Sequence, residues 1–236
     1  FIGVDRPYDE PFAAHTPHQA LAIFQSARAR GAFITINHPF DVNCGFHFDM
    51  TAFPCDCLEV WNGPMREYNL KAVGYWQKLL ESGKKVPICG GSDYHRDTPF
   101  IFLGGPTTCV YALSNGASDI LNALRAGHSF ITFAPGGPTL HLSAGDQGAI
   151  MGDSVPWAAA RELRIKAEAL LAGDVLRVVT AASADAVFKA PQDGDLALTF
   201  PVESPGFARV EVLRAFLPGL PMLPAALSNP IYFDGA

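Results

Sequence analysis

Between residues 16 and 133 the apolar positions switch repeatedly between a helical and an extended period. Ala20, Leu21, Phe24 and Ala27 recur at helical spacing behind Thr16-Pro17. Gln19 stands three residues after Thr16, as a capping box requires, and Gly31 closes the helix. Ala32 to Ile36 is a short β-prone run ended by Asn37-His38-Pro39; Pro39 has no N–H for a ladder, which places His38 at the strand's carboxyl end. Leu58 to Trp61 reads as a strand stopped by Asn62-Gly63-Pro64. Leu70, Val73, Trp76 and Leu80 predict a helix within residues 66–82, with Gly83 as its stop. Val86 to Cys89 predicts the next strand, running into Gly90-Gly91, where the backbone can turn sharply and approach a ligand closely. The rhythm repeats with Thr107 to Tyr111, a helix face at Ile120, Leu121 and Leu124 capped by Gly127, and Ser129 to Phe133. Strand, helix and strand in series predict parallel pairing.

After Ala134-Pro135-Gly136-Gly137-Pro138 the period falls to two. Leu163, Ile165 and Ala167, then Val175 to Thr180, Leu196 to Phe200, Val210 to Leu213 and Ile231 to Phe233 predict a small antiparallel β-sandwich; only Trp157 to Arg161 keeps a helical period. The expected organisation is an α/β domain over residues 1–137 and a β-rich accessory domain over 138–236. Residues 1–16 read as a loop, and residues 40–57 as an irregular insertion carrying Phe46, Phe48 and Phe53.

Composition narrows the function. With 236 residues, 49% hydrophobic and 17% charged, the chain suits one large or two modest cores of a soluble protein. A formal net charge of -6 with scattered Lys and Arg gives no basic stripe, so nucleic acid is not an expected partner. No run approaches the roughly 18 apolar residues of a membrane span, and no membrane partner is expected. Five cysteines, an odd count, with Cys55 and Cys57 too close to bridge each other, suggest neither a disulfide framework nor a zinc knuckle.

The chemistry gathers at strand ends. Asp93 and His95, just past Gly90-Gly91, offer an anionic oxygen and a ring nitrogen, a mixture that suits Zn, Mn or Fe better than Ca or Mg. His38 ends one strand, and the Glu59 to Asn62 segment ends another. In parallel sheets and barrels, sites collect at those carboxyl ends. Glu59 is equally readable as a metal ligand, a general base or a buried partner of a ligating His. Arg66 and Arg96 are the cations near enough in sequence to meet a phosphate. His15 and His18 read as exposed, His128 as a partner of a helix C-terminus, and Trp61 as packing.

In combination, Ile36-Asn37-His38-Pro39, Leu58 to Gly63, Gly90 to His95 and Gly127 to Thr132 resemble the PHP-domain metallohydrolases, with the CehA/McbA, carbaryl-hydrolase-like branch as the nearest. Ser228 to Phe233 resembles that branch's Asn-Pro-Ile-Tyr ending. The resemblance implies a distorted (β/α)7 barrel, present here in part, and two or three divalent metals at the strand ends, with His38, Asp93 and His95 as ligands and Glu59, Asn62 and Arg96 around them. The family's opening His-x-His has no counterpart anywhere in the chain. The expectation is therefore a piece of a longer protein or an incomplete centre. The implied function is a metal-dependent hydrolase of a small phosphoester or a carboxylic or carbamic aryl ester, with Phe46, Phe48, Phe53 and Trp61 offering an aromatic pocket. The alternative is a catalytically incomplete ligand- or partner-binding protein.

Overall fold

The computed structural model describes residues 1–4, 13–99 and 101–235, so the loop reading of residues 5–12 lies outside the described residues. In chain order the elements are α1 (Pro17–Ala29), β1 (Thr35–Ile36), β2 (Cys57–Asn62), α2 (Glu67–Glu81), β3 (Ile88–Gly91), β4 (Thr107–Val110), α3 (Ala117–Ala126), β5 (Ser129–Thr132), β6 (Thr139–Ala144), β7 (Ala149–Ile150), β8 (Ser154–Pro156), β9 (Glu162–Leu170), β10 (Val175–Thr180), β11 (Ala184–Lys189), β12 (Gly194–Pro201), β13 (Gly206–Arg214), β14 (Leu223–Ser228) and β15 (Ile231–Asp234). The architecture is mixed α/β, dominated by strands.

Local chemistry sets the helices. Thr16 and Gln19 form the reciprocal capping box of α1, which buries Ala20, Phe24 and Ala27. Gly127 ends α3 in the left-handed conformation, at φ 76°. In α2 the buried positions are Asn69, Ala72, Trp76 and Leu80, whereas Leu70 is 44% exposed. The predicted apolar stripe is thus rotated, because a polar residue, Asn69, takes an inward position.

Strands β1, β2 and β3 form a parallel sheet in that order, with Ile36 opposite Leu58 and Leu58 opposite Ile88. The expected (β/α)7 barrel does not form among the described residues. Closure needs a hydrogen-bonded neighbour on every strand. On the far side of β3 side chains stand in for a strand: the Thr108 hydroxyl accepts from Gly90 N–H (2.8 Å) and donates to Gly90 O (2.7 Å). Parallel pairing also fails at β4 and β5, which are antiparallel neighbours despite the helix between them. The segment between β3 and β4 brings the chain back to the end where β3 finishes, so β4 runs down while β5 runs up.

The largest sheet has the order β11-β10-β13-β14-β5-β4, with β15 pairing both β13 and β8. A second sheet, β12-β9-β6-β7, packs on it. Leu140, Leu142, Leu163 and Ile165 meet Leu176, Val178, Val210 and Val212 in the core between them. The opposite face of the large sheet supplies Ile131, Phe207, Leu227 and Tyr232 to a second core, shared with Phe24, Ile34, Leu58, Trp76 and Ile88. Strand pairing runs across residue 137, since β5 is hydrogen-bonded to β14. Residues 157–161 make a turn rather than a helix, with Ala160 N–H on Pro156 O.

Two buried contacts fasten the layers. Asn229, 1% exposed, accepts from Ile88 N–H through its side-chain oxygen (2.9 Å) and donates to Ser129 O (2.9 Å), tying β3 to β5. Arg209 on β13 donates to Gln77 Oε1 on α2, to Glu211 Oε1, and lies 4.7 Å over the Trp76 ring.

Candidate functional site

His38 and Asp93 lie just past the carboxyl ends of β1 and β3 and Asn62 ends β2, whereas Glu59 is the third of β2's six residues and reaches the His38 turn through its side chain. After β1 the chain turns at His38, whose φ is 32°, and after β3 it turns at Asp93, whose φ is 49°. Among the described residues only one other non-glycine, Ala169, has a positive φ. The glycines before Asp93 do not turn the chain; both lie within β3. They allow close approach instead: a Cβ on Gly90 would stand 2.8 Å from Trp61 O, and one on Gly91 would stand 3.4 Å from Glu59 Oε1.

Glu59 is 6% exposed. Its Oε2 accepts from the His38 backbone N–H (2.7 Å) and from Asn62 Nδ2 (3.2 Å). Its Oε1 accepts no hydrogen bond among the described residues and faces Gly91. Burial pushes the Glu59 carboxyl up from its ordinary range, and the charge of Asp93 adds to that; the His38 amide and Asn62 amide donors pull the other way. Asn62 is itself fixed. Its backbone N–H donates to Asn69 Oδ1 (3.1 Å), and Asn69 Nδ2 donates to Asn62 O (3.0 Å) and Pro64 O (3.1 Å). The first turn of α2 is therefore pinned to the end of β2.

Asp93 and His95 do meet, with Oδ1 2.9 Å from Nε2, and both are open to solvent, at 46% and 80% side-chain exposure. The His38 ring meets a different neighbour: Nδ1 lies 3.8 Å from Cys44 Sγ. Cys44 in turn donates to Asp41 Oδ1 (3.3 Å), and the amides of Asn43 and Cys44 hold the Asp41 carboxyl below its usual range. Arg96 is exposed and makes no hydrogen bond or ion pair among the described residues. Tyr68, on the first turn of α2, lies within electrostatic reach of Arg66, Asp41, Asp93 and Cys44.

In donor chemistry the edge suits a divalent metal: Asp93 oxygen, His95 and His38 nitrogens, and a buried Glu59 oxygen with an unfilled acceptor position. Their placement is a contacting pair with separate donors beside it. No three His, Cys, Asp or Glu side chains among the described residues converge to hold an ion.

The aromatic insertion is used in packing. Phe46, Phe48 and Phe53 lie ring on ring at 5.0 to 5.8 Å, and Phe53 also meets Phe24. Trp61 is 3% exposed, with its ring N–H donated to Gly63 O. His128 pairs with Asp153 (2.9 Å), and His15, His18 and His47 are exposed. Sequence reasoning missed Asn69, Tyr68 and the Cys44–Asp41 contact. For Asn69 the available signal was a polar residue one position before the apolar stripe of α2; for Cys44, a nearby carboxylate in a Gly-bounded turn.

Compared with known proteins, the chain matches no family model, no curated protein sequence and no solved structure. No helix among the described residues is long and apolar enough to cross a membrane.

Proposed function

We propose that the carboxyl edge of β1, β2 and β3 is the working face of a metal-dependent hydrolase acting on a small phosphoester or a carboxylic or carbamic ester. The observation that carries this reading is Glu59: a buried carboxylate with one oxygen lacking any donor among the described residues, set among His38, Asn62 and Asp93. Burying such a group without a partner is destabilising, so a cation or an acidic proton at that oxygen is the natural complement. The left-handed backbone at His38 and Asp93 supports the same reading, since unusual conformations gather at functional sites.

His38, Asp93 and His95 would hold the metal, with the exposed Asp93–His95 pair opening to do so. A divalent Zn, Mn or Fe ion there would supply a water of near-neutral pKa and polarise the phosphoryl or carbonyl oxygen. Glu59 Oε1 would take up a proton from the attacking water, its carboxyl raised by burial toward the range a general base needs. Asn62 would keep Glu59 in register, and Arg96 would supply charge from the loop beyond His95. The PHP-type, CehA/McbA-like assignment belongs to this proposal and rests on the sequence motifs at these strand ends.

One observation favours a second reading, a ligand- or partner-binding protein. The described donors form a pair rather than a metal-holding group. Elemental analysis together with turnover of p-nitrophenyl phosphate and 1-naphthyl acetate separates the two. Tightly bound metal with turnover supports the hydrolase. Less than one metal per chain, with no turnover above buffer after metal addition, leaves the binding reading.

A further inference from the structure

The strand-end edge presents acceptors: Glu59 Oε1, Asp41 and Asp93. A hydrolytic site also needs donors, because negative charge accumulates on a substrate oxygen as the bond breaks. The first turn of α2 carries two donors that the fold leaves unused. Tyr68 is half-buried, and its hydroxyl makes no hydrogen bond among the described residues; Arg66 is exposed and makes no ion pair among them. Neither is remote from the site. Asn69, the residue after Tyr68, is 2% exposed and bonded three times to Asn62 and Pro64, which fixes this turn against the end of β2. The Tyr68 hydroxyl is within electrostatic reach of Arg66 and of Asp41, Asp93 and Cys44. Burial raises the Tyr68 phenol above its ordinary value, with Arg66 pulling the other way and Asp41, Asp93 and Cys44 adding to the rise, so it stays an O–H donor at neutral pH.

We infer that Tyr68, with the Arg66 charge two residues away, is the specificity-determining donor of this site, and that it binds an anionic oxygen of the substrate. The inference rests on the hydrolase reading for its kinetic form, but not for its binding form. Tyr68 packs no aromatic partner among the described residues and holds no other group in place, so its hydroxyl is free for a ligand. A phenol O–H with a guanidinium two residues away suits an oxygen bearing full or partial negative charge, such as a phosphoryl or carboxylate oxygen, better than a neutral carbonyl. The site would therefore distinguish charged from neutral substrates through α2 rather than through the aromatic insertion.

The test uses Tyr68→Phe, which keeps the ring, and Arg66→Gln with Arg66→Lys as its charge-conserving control. In turnover, Tyr68→Phe is expected to raise KM for p-nitrophenyl phosphate by about tenfold, the effect of one hydrogen bond to a charged group, and to leave 1-naphthyl acetate within about twofold. Arg66→Lys should recover most of what Arg66→Gln loses. Equal loss on both substrates, or none on either, overturns the inference. If the native chain turns over neither substrate, the hydrolase reading fails and titration calorimetry with inorganic phosphate decides this one. Binding that weakens about tenfold in Tyr68→Phe upholds it, and unchanged binding, or none in the native chain, overturns it.

Discussion

Glu59 accepts from backbone and amide donors on one carboxylate oxygen and, among the described residues, from none on the other. Its behaviour with pH follows from that asymmetry. The folded-state pKa is raised, so the stability linked to this group is fully present below the ordinary carboxylate value of about 4.3 and is lost as pH rises through the folded value. Glu59→Gln lacks this titration. Thermal melts of the two proteins without metal should show the variant gaining on the native chain as pH rises above about 4.3, until the folded value is passed. The same variant should lose about 10²–10⁴-fold in turnover if Glu59 is the base. A variant that gains no ground with pH would mean that the open oxygen is compensated in solution. Gly90 shows the opposite kind of constraint. A methyl group there meets Trp61 O and Ile131 Cγ2, both at 2.8 Å, so Gly90→Ala should destabilise by about 1–3 kcal/mol in denaturant titrations.

At the scale of elements, α2 is held by a polar side chain where an apolar one would be expected. Asn69 replaces β-ladder partners for Asn62, and this is why the helix sits rotated from its apolar stripe. Asn69→Leu would improve the stripe on paper yet leave the Asn62 N–H and C=O buried without partners. Urea unfolding should show a loss of about 1–3 kcal/mol. The elements themselves were largely legible in the sequence: the Thr16–Gln19 box, the strands before His38 and Gly63, and the period-two runs of β9, β10 and β13; the strand expected at Val86 to Cys89 runs on through Gly90 and Gly91 instead of turning there. What was not legible follows from pairing. The direction of β4 depends on where the preceding loop returns, and β14, Leu-Pro-Ala-Ala-Leu-Ser, is a strand because both its faces are covered, not because of its residues' preferences. The Asp93–His95 contact was readable from spacing two residues apart. The turn that sends the His38 ring to Cys44 was not.

For the whole molecule, Arg209 of β13 joins α2 to the large sheet through Gln77 and is held in charge balance by Glu211 of its own strand. Both side chains are 3% exposed, and Arg177 also donates to Glu211. Burial alone would raise the Glu211 carboxyl, but Arg209 and Arg177 hold it below its ordinary value. Its stabilisation is therefore present above the ordinary carboxylate range and is lost as pH falls through the folded value. Glu211→Gln leaves Arg209 buried and unpaired, so it should lose about 3–5 kcal/mol at pH 7, with the gap to the native chain closing below about pH 4. Chemical denaturation at pH 7 and at steps below about pH 4 follows the gap as it closes.

The Asn229 side chain also bears on the order of assembly. It completes the hydrogen bonding of Ile88, the first residue of the strand that leads to Asp93, across a sequence separation of 141. Closing so long a loop is slow compared with forming α1 or α2. The expected order puts this bond after the local helices, together with the pairing of the strands around Asn229. In native-state hydrogen exchange the Ile88 amide should open together with the amides of β14 and β13, not with those of its own neighbour β2.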